Sequence, residues 1–403
     1  MADLPRLTGD MPGVGGRIKQ AAADFKVEEL PLYEPCGSGT HVYFRVEKTG
    51  VATPVAVGRI ARYMGVRPAE IGFAGLKDAR AVTTQMMSLE HADAGKLSAY
   101  RDSQVRVTGT WLHGNKLRPG HLAGNRFAIR IRGIGAGQLD QARAVVAVLT
   151  GRGVPNYFGS QRFGARGDTA ELGEALVRGD LERFVALYLG RPRDDDPSDC
   201  RAAREAFDAE DFDAALKHWP RHYRDERRAL SAYRRKCRPG PAVGAIDKRL
   251  KRLYVSALQS AMFNAMLARR IDAIDRVWPG DLARKTDGKG LFSVEDAQAE
   301  QPRAEAFEIS ATAAVVGYRS LLAQGRMGRI ERDVLGEWQI CPEDFRCMGP
   351  LKSKGTRRAL RFRIAQAAVS AGTDDRGQFL EVTFTAPSGS YATIALDEIM
   401  KAD

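Results

Sequence analysis

Asn125-Arg126-Phe127-Ala128-Ile129-Arg130-Ile131-Arg132 reads as a β-strand with two chemically opposite faces. Side chains alternate across a strand, so Phe127, Ile129 and Ile131 share one face while Arg126, Arg130 and Arg132 share the other. The apolar face predicts a sheet laid against a core, and the arginine face predicts a surface that could meet phosphates. Working outward, His41-Val42-Tyr43-Phe44-Arg45-Val46-Glu47 repeats the alternation, with Val42, Phe44 and Val46 together. Residues 51–64 and 138–150 predict helices, and residues 379–385 alternate again near the end of the chain. The texture changes after about residue 155: residues 168–270 are mostly helical and strongly charged, and Leu250, Tyr254, Leu258, Met262 and Met266 draw an apolar stripe along one helix. Strands, then helices, then strands predict an α+β protein. Its mixed, mainly antiparallel sheet with flanking helices is interrupted by a mainly helical insertion.

Composition narrows the partners. The 403 residues suffice for two domains, and 44% hydrophobic with 28% charged residues is ordinary for a soluble globular chain. No apolar run approaches the length of a membrane span and no secretory leader is visible, so a cytoplasmic protein is expected. Cys36, Cys200, Cys237, Cys341 and Cys347 form no CxxC pair and read as free thiols. The net charge of +12 calls for a polyanionic partner, most often a nucleic acid.

Several chemistries are excluded. No phosphate-binding P-loop occurs, and Asp287-Gly288-Lys289-Gly290 reads as a plain turn. Gly13-Val14-Gly15-Gly16 lacks dinucleotide-binding spacing. His218 and His222 are four apart, but Pro220 lies between them and no glutamate takes the zincin position, so no metal is expected. No serine-type nucleophile elbow stands out, and no cofactor is called for.

Gly72-Phe73-Ala74-Gly75-Leu76-Lys77-Asp78-Ala79-Arg80-Ala81-Val82-Thr83-Thr84-Gln85 places a single carboxylate after a lysine, behind a glycine-flanked turn. An acid beside positive charge stays ionised, which suits a nucleophile better than a proton donor. Taken alone, Asp78 could equally be a helix N-cap. Gly153-Val154-Pro155-Asn156-Tyr157-Phe158-Gly159-Ser160-Gln161-Arg162-Phe163-Gly164 mixes aromatic rings with Asn, Gln and Arg. It reads as a base-stacking surface or as a packed loop joining two domains. Basic runs occur at Arg234, Arg235, Lys236 and Arg238; at Lys248, Arg249, Lys251 and Arg252; and at Lys352, Lys354, Arg357, Arg358, Arg361 and Arg363. Each alone could be a solvated face, but together with the basic strand they favour RNA or DNA.

Residues 75–85 resemble the catalytic signature of the TruD family of tRNA pseudouridine synthases, and residues 156–164 resemble its second signature. Further similarities follow in the same order. They are Lys19 and Asp24-Phe25-Lys26-Val27-Glu28-Glu29, then His113, Leu117 and Gly124-Asn125-Arg126-Phe127, then residues 256–264, 353–358 and 389–393. The resemblance thus spans nearly the whole chain. It implies a pseudouridine synthase catalytic domain (1–155 and 351–403) interrupted by a TRUD insertion domain (156–350).

The implied reaction isomerises a flipped uridine of tRNA, at position 13, to its C-glycoside. It has no redox change, no hydrolysis and no cofactor. Asp78 matches the family's nucleophile and Lys19 its expected ion-pair partner. Phe25, Asn125, Phe127, Tyr391 and Lys77 fall where the uracil would be held. Of these, Phe127 also reads as a core ring, because it shares a face with Ile129 and Ile131. Tyr391 stands where bacterial relatives often carry Phe, which keeps the ring and adds a hydroxyl. Arg126, Asn156, Gln161, Arg162, Arg357 and Arg358 are the expected RNA contacts. The expected partner is tRNA, bound by a monomer without membrane or metal. The rival reading is a non-catalytic basic protein that binds or folds RNA.

Overall fold

The structure, a computed structural model, describes residues 4–135, 137–286, 290–346 and 349–402. Cys347 and all of the expected 287–290 turn except Gly290 lie outside the described residues, while Cys36, Cys200, Cys237 and Cys341 are free thiols. The chain divides into two compact units, Arg6–Pro155 with Phe362–Asp403, and Met1–Pro5 with Asn156–Arg361. Among the described residues no helix is long and apolar enough to cross a membrane.

The first unit is built on one sheet. Its strands run in the order Ala365–Asp374, Gly377–Pro387, Leu122–Arg132, Phe25–Pro31, Val82–Glu90, His41–Thr49, Val105–His113, and the short strand Gly72–Phe73 pairs with Val82–Glu90. Every pairing is antiparallel except that of Phe25–Pro31 with Val82–Glu90. That parallel pair sets the starts of two strands side by side, matching Lys26 with Val82. The segments leading into both strands therefore meet at one end of the sheet.

Inward residues of the sheet make the core. Val42, Phe44 and Val46 pack with Ala56, Val57, Ile60 and Ala61 of the helix Thr53–Met64. The helix starts at Thr53 rather than at 51 because Pro54 favours the first turn and Ala52 is still extended. It stops where Gly65 turns left-handed, at φ 77°.

Leu122–Arg132 has the two faces its alternation predicts, with Ile129 and Ile131 fully buried and Phe127 nearly so. The arginine face does not lie open to phosphates as expected. Arg126 is exposed but pairs with Glu28 at 3.0 Å. Arg130 pairs with Asp374 and Glu381 at 2.9 and 3.1 Å, and Arg132 is buried between Asp24 and Asp374 at 2.7 and 2.6 Å. The carboxylates come from distant segments, which is why the strand sequence could not announce them.

The second unit is mainly helical, with Thr169–Arg178 lying on the long helix Lys248–Ala268. Tyr254, Leu258, Met262 and Met266 of the apolar stripe are buried there. Gly173 lets the two helices touch, since a Cβ at this position would sit 2.1 Å from the Tyr254 carbonyl oxygen.

This unit also holds a four-stranded sheet, Thr356–Ala359, Ile309–Val315, Leu282–Lys285 and Leu291–Ser293. Its central strand, Ile-Ser-Ala-Thr-Ala-Ala-Val, is buried on both faces until its last residue, so it lacks the alternation that marks a half-exposed strand. Because Thr356–Ala359 pairs with Ile309–Val315, the chain leaves this unit at 361/362, whereas the resemblance implies an insertion ending at 350.

Candidate active site

Asp78 sits on a loop, residues 74–81, that runs from the short strand Gly72–Phe73 back to the start of Val82–Glu90. No helix follows it; the Asp78 Oδ1 accepts from the Arg80 backbone N–H at 2.9 Å, which turns the chain directly into the strand. The N-cap reading of Asp78 is therefore replaced by a side-chain-closed turn.

The loop is fastened along its length. The Gly75 carbonyl accepts from Gln85 Nε2 at 3.1 Å, and the Lys77 N–H donates to Thr53 Oγ1 at 3.0 Å. Thr53 Oγ1 in turn donates to Gln85 Oε1 at 2.8 Å, so one buried hydroxyl and one buried amide link the loop to a helix start and a strand. Lys48 Nζ donates to the carbonyls of Asp78 at 2.9 Å, Lys77 at 3.4 Å and Val51 at 2.6 Å. Backbone polar groups pinned in this way cannot drift, so the carboxylate is held in one place before any substrate arrives.

Two lysines flank the carboxylate, Lys19 from the segment that precedes the strand Phe25–Pro31 and Lys77 from the loop itself. Lys19 Nζ makes an ion pair with Asp78 Oδ2 and also lies 4.3 Å above the centre of the Phe25 ring. Lys19 has a left-handed backbone, φ 58°, which costs a non-glycine residue about 1 kcal/mol. The ion pair and the cation–π contact offset that cost. Lys77 turns away from Asp78 and bridges Glu29 Oε2 at 2.8 Å and Asn125 Oδ1 at 2.7 Å. Glu29 and Asn125 are cross-strand partners, and Asn125 also faces Ala386.

Burial pushes the Asp78 carboxyl up, but the Lys19 hydrogen bond, the Arg80 N–H and the charges of Lys19 and Lys48 outweigh it and hold the group below the usual carboxylate range. The site thus contains a persistently ionised carboxylate, with a side chain 29% exposed, beside a buried aromatic ring and a fixed amide.

A family model described as tRNA pseudouridine synthase D (TruD) matches residues 3–399 of this chain. The chain belongs to the TruD family. The Geobacter metallireducens tRNA pseudouridine synthase D is 42% identical over 398 residues, covering 98% of this chain and 97% of the relative. The Syntrophotalea carbinolica protein of the same name is 39% identical, covering 98% and 99%. A Methanosarcina mazei crystal structure assigned to tRNA pseudouridine synthase D superimposes with a TM-score of 0.86 at 29% identity, covering 99% of this chain and 96% of that one.

Within this member of the family the residues expected around a uridine fall into distinct places. Phe25 is buried edge-on to Phe127 with ring centres 6.4 Å apart, and Phe127 lies 5.2 Å from Phe384. Phe127 is a buried ring in contact with both Phe25 and Phe384. Tyr391 is half-buried at the start of the helix Ala392–Met400, just beyond the strand whose Ala386 faces Asn125.

The expected RNA contacts separate sharply. Gln161 is exposed. Asn156 is buried, donates to the Ala359 carbonyl at 2.9 Å and accepts from Arg358, whose Nε also reaches the Asn156 carbonyl at 3.0 Å. Arg358 further lies 4.3 Å above the Phe158 ring, and Arg162 bonds to Ser256 and Ser260. Tyr157 and Phe163 are buried, so the 153–164 segment is a packed loop rather than an open stacking surface. Arg357 and Arg361 of the third basic run are buried too, Arg357 against Glu331 at 2.6 Å. Sequence proximity grouped these arginines, but a strand sends neighbouring side chains to opposite faces, and only Lys352, Lys354 and Arg363 of that run are exposed.

Lys48, Thr53, Glu29 and Gln85 carry the site's support and were given no role by the sequence reading. Lys48 did leave a signal. It continues the inward series Val42, Phe44, Val46, and a lysine on a core-facing position must find partners.

Proposed function

We propose that this protein isomerises a flipped uridine of tRNA, at position 13, to pseudouridine, with Asp78 acting on the ribose. The observation that carries the reading is the clamped, ionised Asp78 beside Lys19 and Phe25. Flipping a nucleotide costs a few kcal/mol, which a pocket with a stacking ring and an edge-reading amide can offset. Tyr391 borders the uracil, and Asn125 reads its Watson–Crick edge through the amide that Lys77 orients. With Oδ1 held by Lys77, the Asn125 NH₂ is left to donate to a uracil oxygen.

In the reaction the C1′–N1 bond breaks, the uracil turns, and C5 bonds to C1′ while the C5 proton is lost and N1 gains one. Asp78 serves either by attack on C1′ or by taking the 2′ proton, and both routes need the carboxylate ionised. Lys19 keeps it so in the free enzyme. The unit Arg6–Pro155 with Phe362–Asp403 is the catalytic domain in this reading, and Asn156–Arg361 is the insertion.

Incubating the protein with unmodified tRNA and mapping pseudouridine by chemical labelling and primer extension should give one stop, at position 13. Product at another position would overturn the site assignment. Tight binding with no product on any tRNA would favour the RNA-binding reading instead.

RNA affinity has a separate test. Lys352 and Lys354 are exposed, so a K352A/K354A variant should weaken tRNA binding and flatten its dependence on log salt by about 1 to 2, near 0.9 for each phosphate no longer neutralised. An unchanged slope in a salt titration of affinity would place that turn off the RNA path.

A further inference from the structure

The Lys48 ammonium is completely buried in the sheet and meets three backbone carbonyls, those of Val51, Asp78 and Lys77, at 2.6, 2.9 and 3.4 Å. An ammonium has three N–H donors and no acceptor, so three carbonyls match it completely. Two of the three belong to Asp78 and the residue before it. We propose that Lys48 is a positioning residue of the reaction, a charged support under the loop that aims the Asp78 carboxylate at the ribose. The inference rests on the reading of Asp78 as the reacting group.

Lysine is rarely buried, because removing its charge from water is expensive unless the partners are fixed. Here those partners are main-chain oxygens of one short loop, together with the Val51 carbonyl just beyond the same strand, so the charge serves loop position. Next, the Asp78 carbonyl points to Lys48 while its side chain pairs with Lys19. Residue 78 is thereby held on both sides. Last, the Lys48 charge itself contributes to keeping Asp78 ionised.

The charged groups facing Lys48 are Asp78, which favours its proton, and Lys77, which opposes it; Thr53 and Gln85, which complete the loop clamp, are neutral. Burial is the largest influence and brings Lys48 down to about 8. When the ammonium loses its proton it keeps only two N–H donors for three carbonyls, and one loop bond must lapse. The support is therefore complete below about pH 8 and weakens above it.

Single-turnover rates on tRNA should fall as pH rises through about 8 in the wild-type protein, with tRNA affinity at constant salt changing little. Lys48→Met fills the same volume without the charge. It should lower the single-turnover rate about 100-fold, the effect of misplacing a reacting group by about 1 Å, while leaving the tRNA dissociation constant within about threefold. Its residual rate should lack the alkaline decline.

Asp78→Asn, run alongside, separates the two ideas. An active Asp78→Asn enzyme overturns the reading of Asp78. An inactive one, with Lys48→Met at the wild-type rate, overturns the role of Lys48 alone. If Lys48→Met fails to fold, as judged by thermal unfolding, the wild-type profile decides: a rate level from pH 7 to 9.5 overturns the inference.

Discussion

Asp78→Asn should abolish pseudouridine formation, by about 10⁴-fold or more, while the protein still folds and binds tRNA. Removing a reacting group usually costs a rate factor of this order, because no neighbouring side chain can replace it. Asparagine keeps the carbonyl oxygen that accepts from the Arg80 N–H at 2.9 Å, so the turn survives. What is lost is the charge, and with it the Lys19 ion pair, a partly exposed contact worth at most about 1 kcal/mol. Stability thus changes little and the rate changes greatly.

The pH behaviour has a definite sign. Asp78 is held below the usual carboxylate range in the folded protein, so it contributes stability above its unfolded pKa and loses that contribution as pH falls through the folded value. The wild-type rate should accordingly show no acid limb down to about pH 5. Primer-extension mapping after prolonged incubation, with circular dichroism as the folding control, checks the first expectation. Product from Asp78→Asn at a tenth of the wild-type rate would end the assignment.

Arg357→Ala should unfold the second unit some 6–20 °C early, with little direct effect on RNA contacts. Arg357 was expected on the RNA path, yet it is 4% exposed, with Nε on Thr312 Oγ1 at 2.7 Å, and its other nitrogens on the Thr312 carbonyl at 2.6 Å, the Leu321 carbonyl at 2.7 Å and Glu331 Oε1 at 2.6 Å. Glu331 is itself fully buried and also accepts from the Ala314 and Ala323 N–H groups at 3.1 and 2.7 Å. The pair locks the strand Thr356–Ala359 and the helix Gly325–Glu337 onto the strand Ile309–Val315.

Truncating one partner leaves a carboxylate buried without its counter-charge, which costs about 3–5 kcal/mol. For a unit of about 200 residues each kcal/mol lowers the melting temperature by about 2–4 °C. Calorimetry on Arg357→Ala and on the double variant Arg357→Leu/Glu331→Leu checks the cause, since removing both charges should recover part of the loss. A melting temperature unchanged in Arg357→Ala, with weakened tRNA binding, would return Arg357 to the RNA surface.

Much of the fold was legible along the chain. The alternation in residues 125–132 and 41–47 marks strands and the apolar stripe from Tyr254 to Met266 marks a helix, since both periodicities are local consequences of backbone geometry. His41 and Tyr43, however, are buried along with Val42 and Phe44, and no residue from 254 to 268 is exposed, more burial than the patterns announce. The strand Ile309–Val315 was not legible, because a strand buried on both faces has no period to read. The order and spacing of the motifs around Lys19, Asp78, Asn125 and Tyr391 carried the family, since long ordered matches identify a common ancestor without any knowledge of contacts.

Which charges face solvent was decided only in three dimensions. Arg126, Arg130 and Arg132 look alike in sequence, as do Lys352, Lys354, Arg357 and Arg361. Glu28, Asp24, Asp374 and Glu331 settle which of them are neutralised, and these acids arrive from segments up to hundreds of residues away. The same holds for Lys48, whose inward position is written in the strand pattern but whose carbonyl partners exist only once the loop has closed over it. Periodicity records which face a residue takes. Electrostatic partnership depends on distances through space, and only the folded chain sets those.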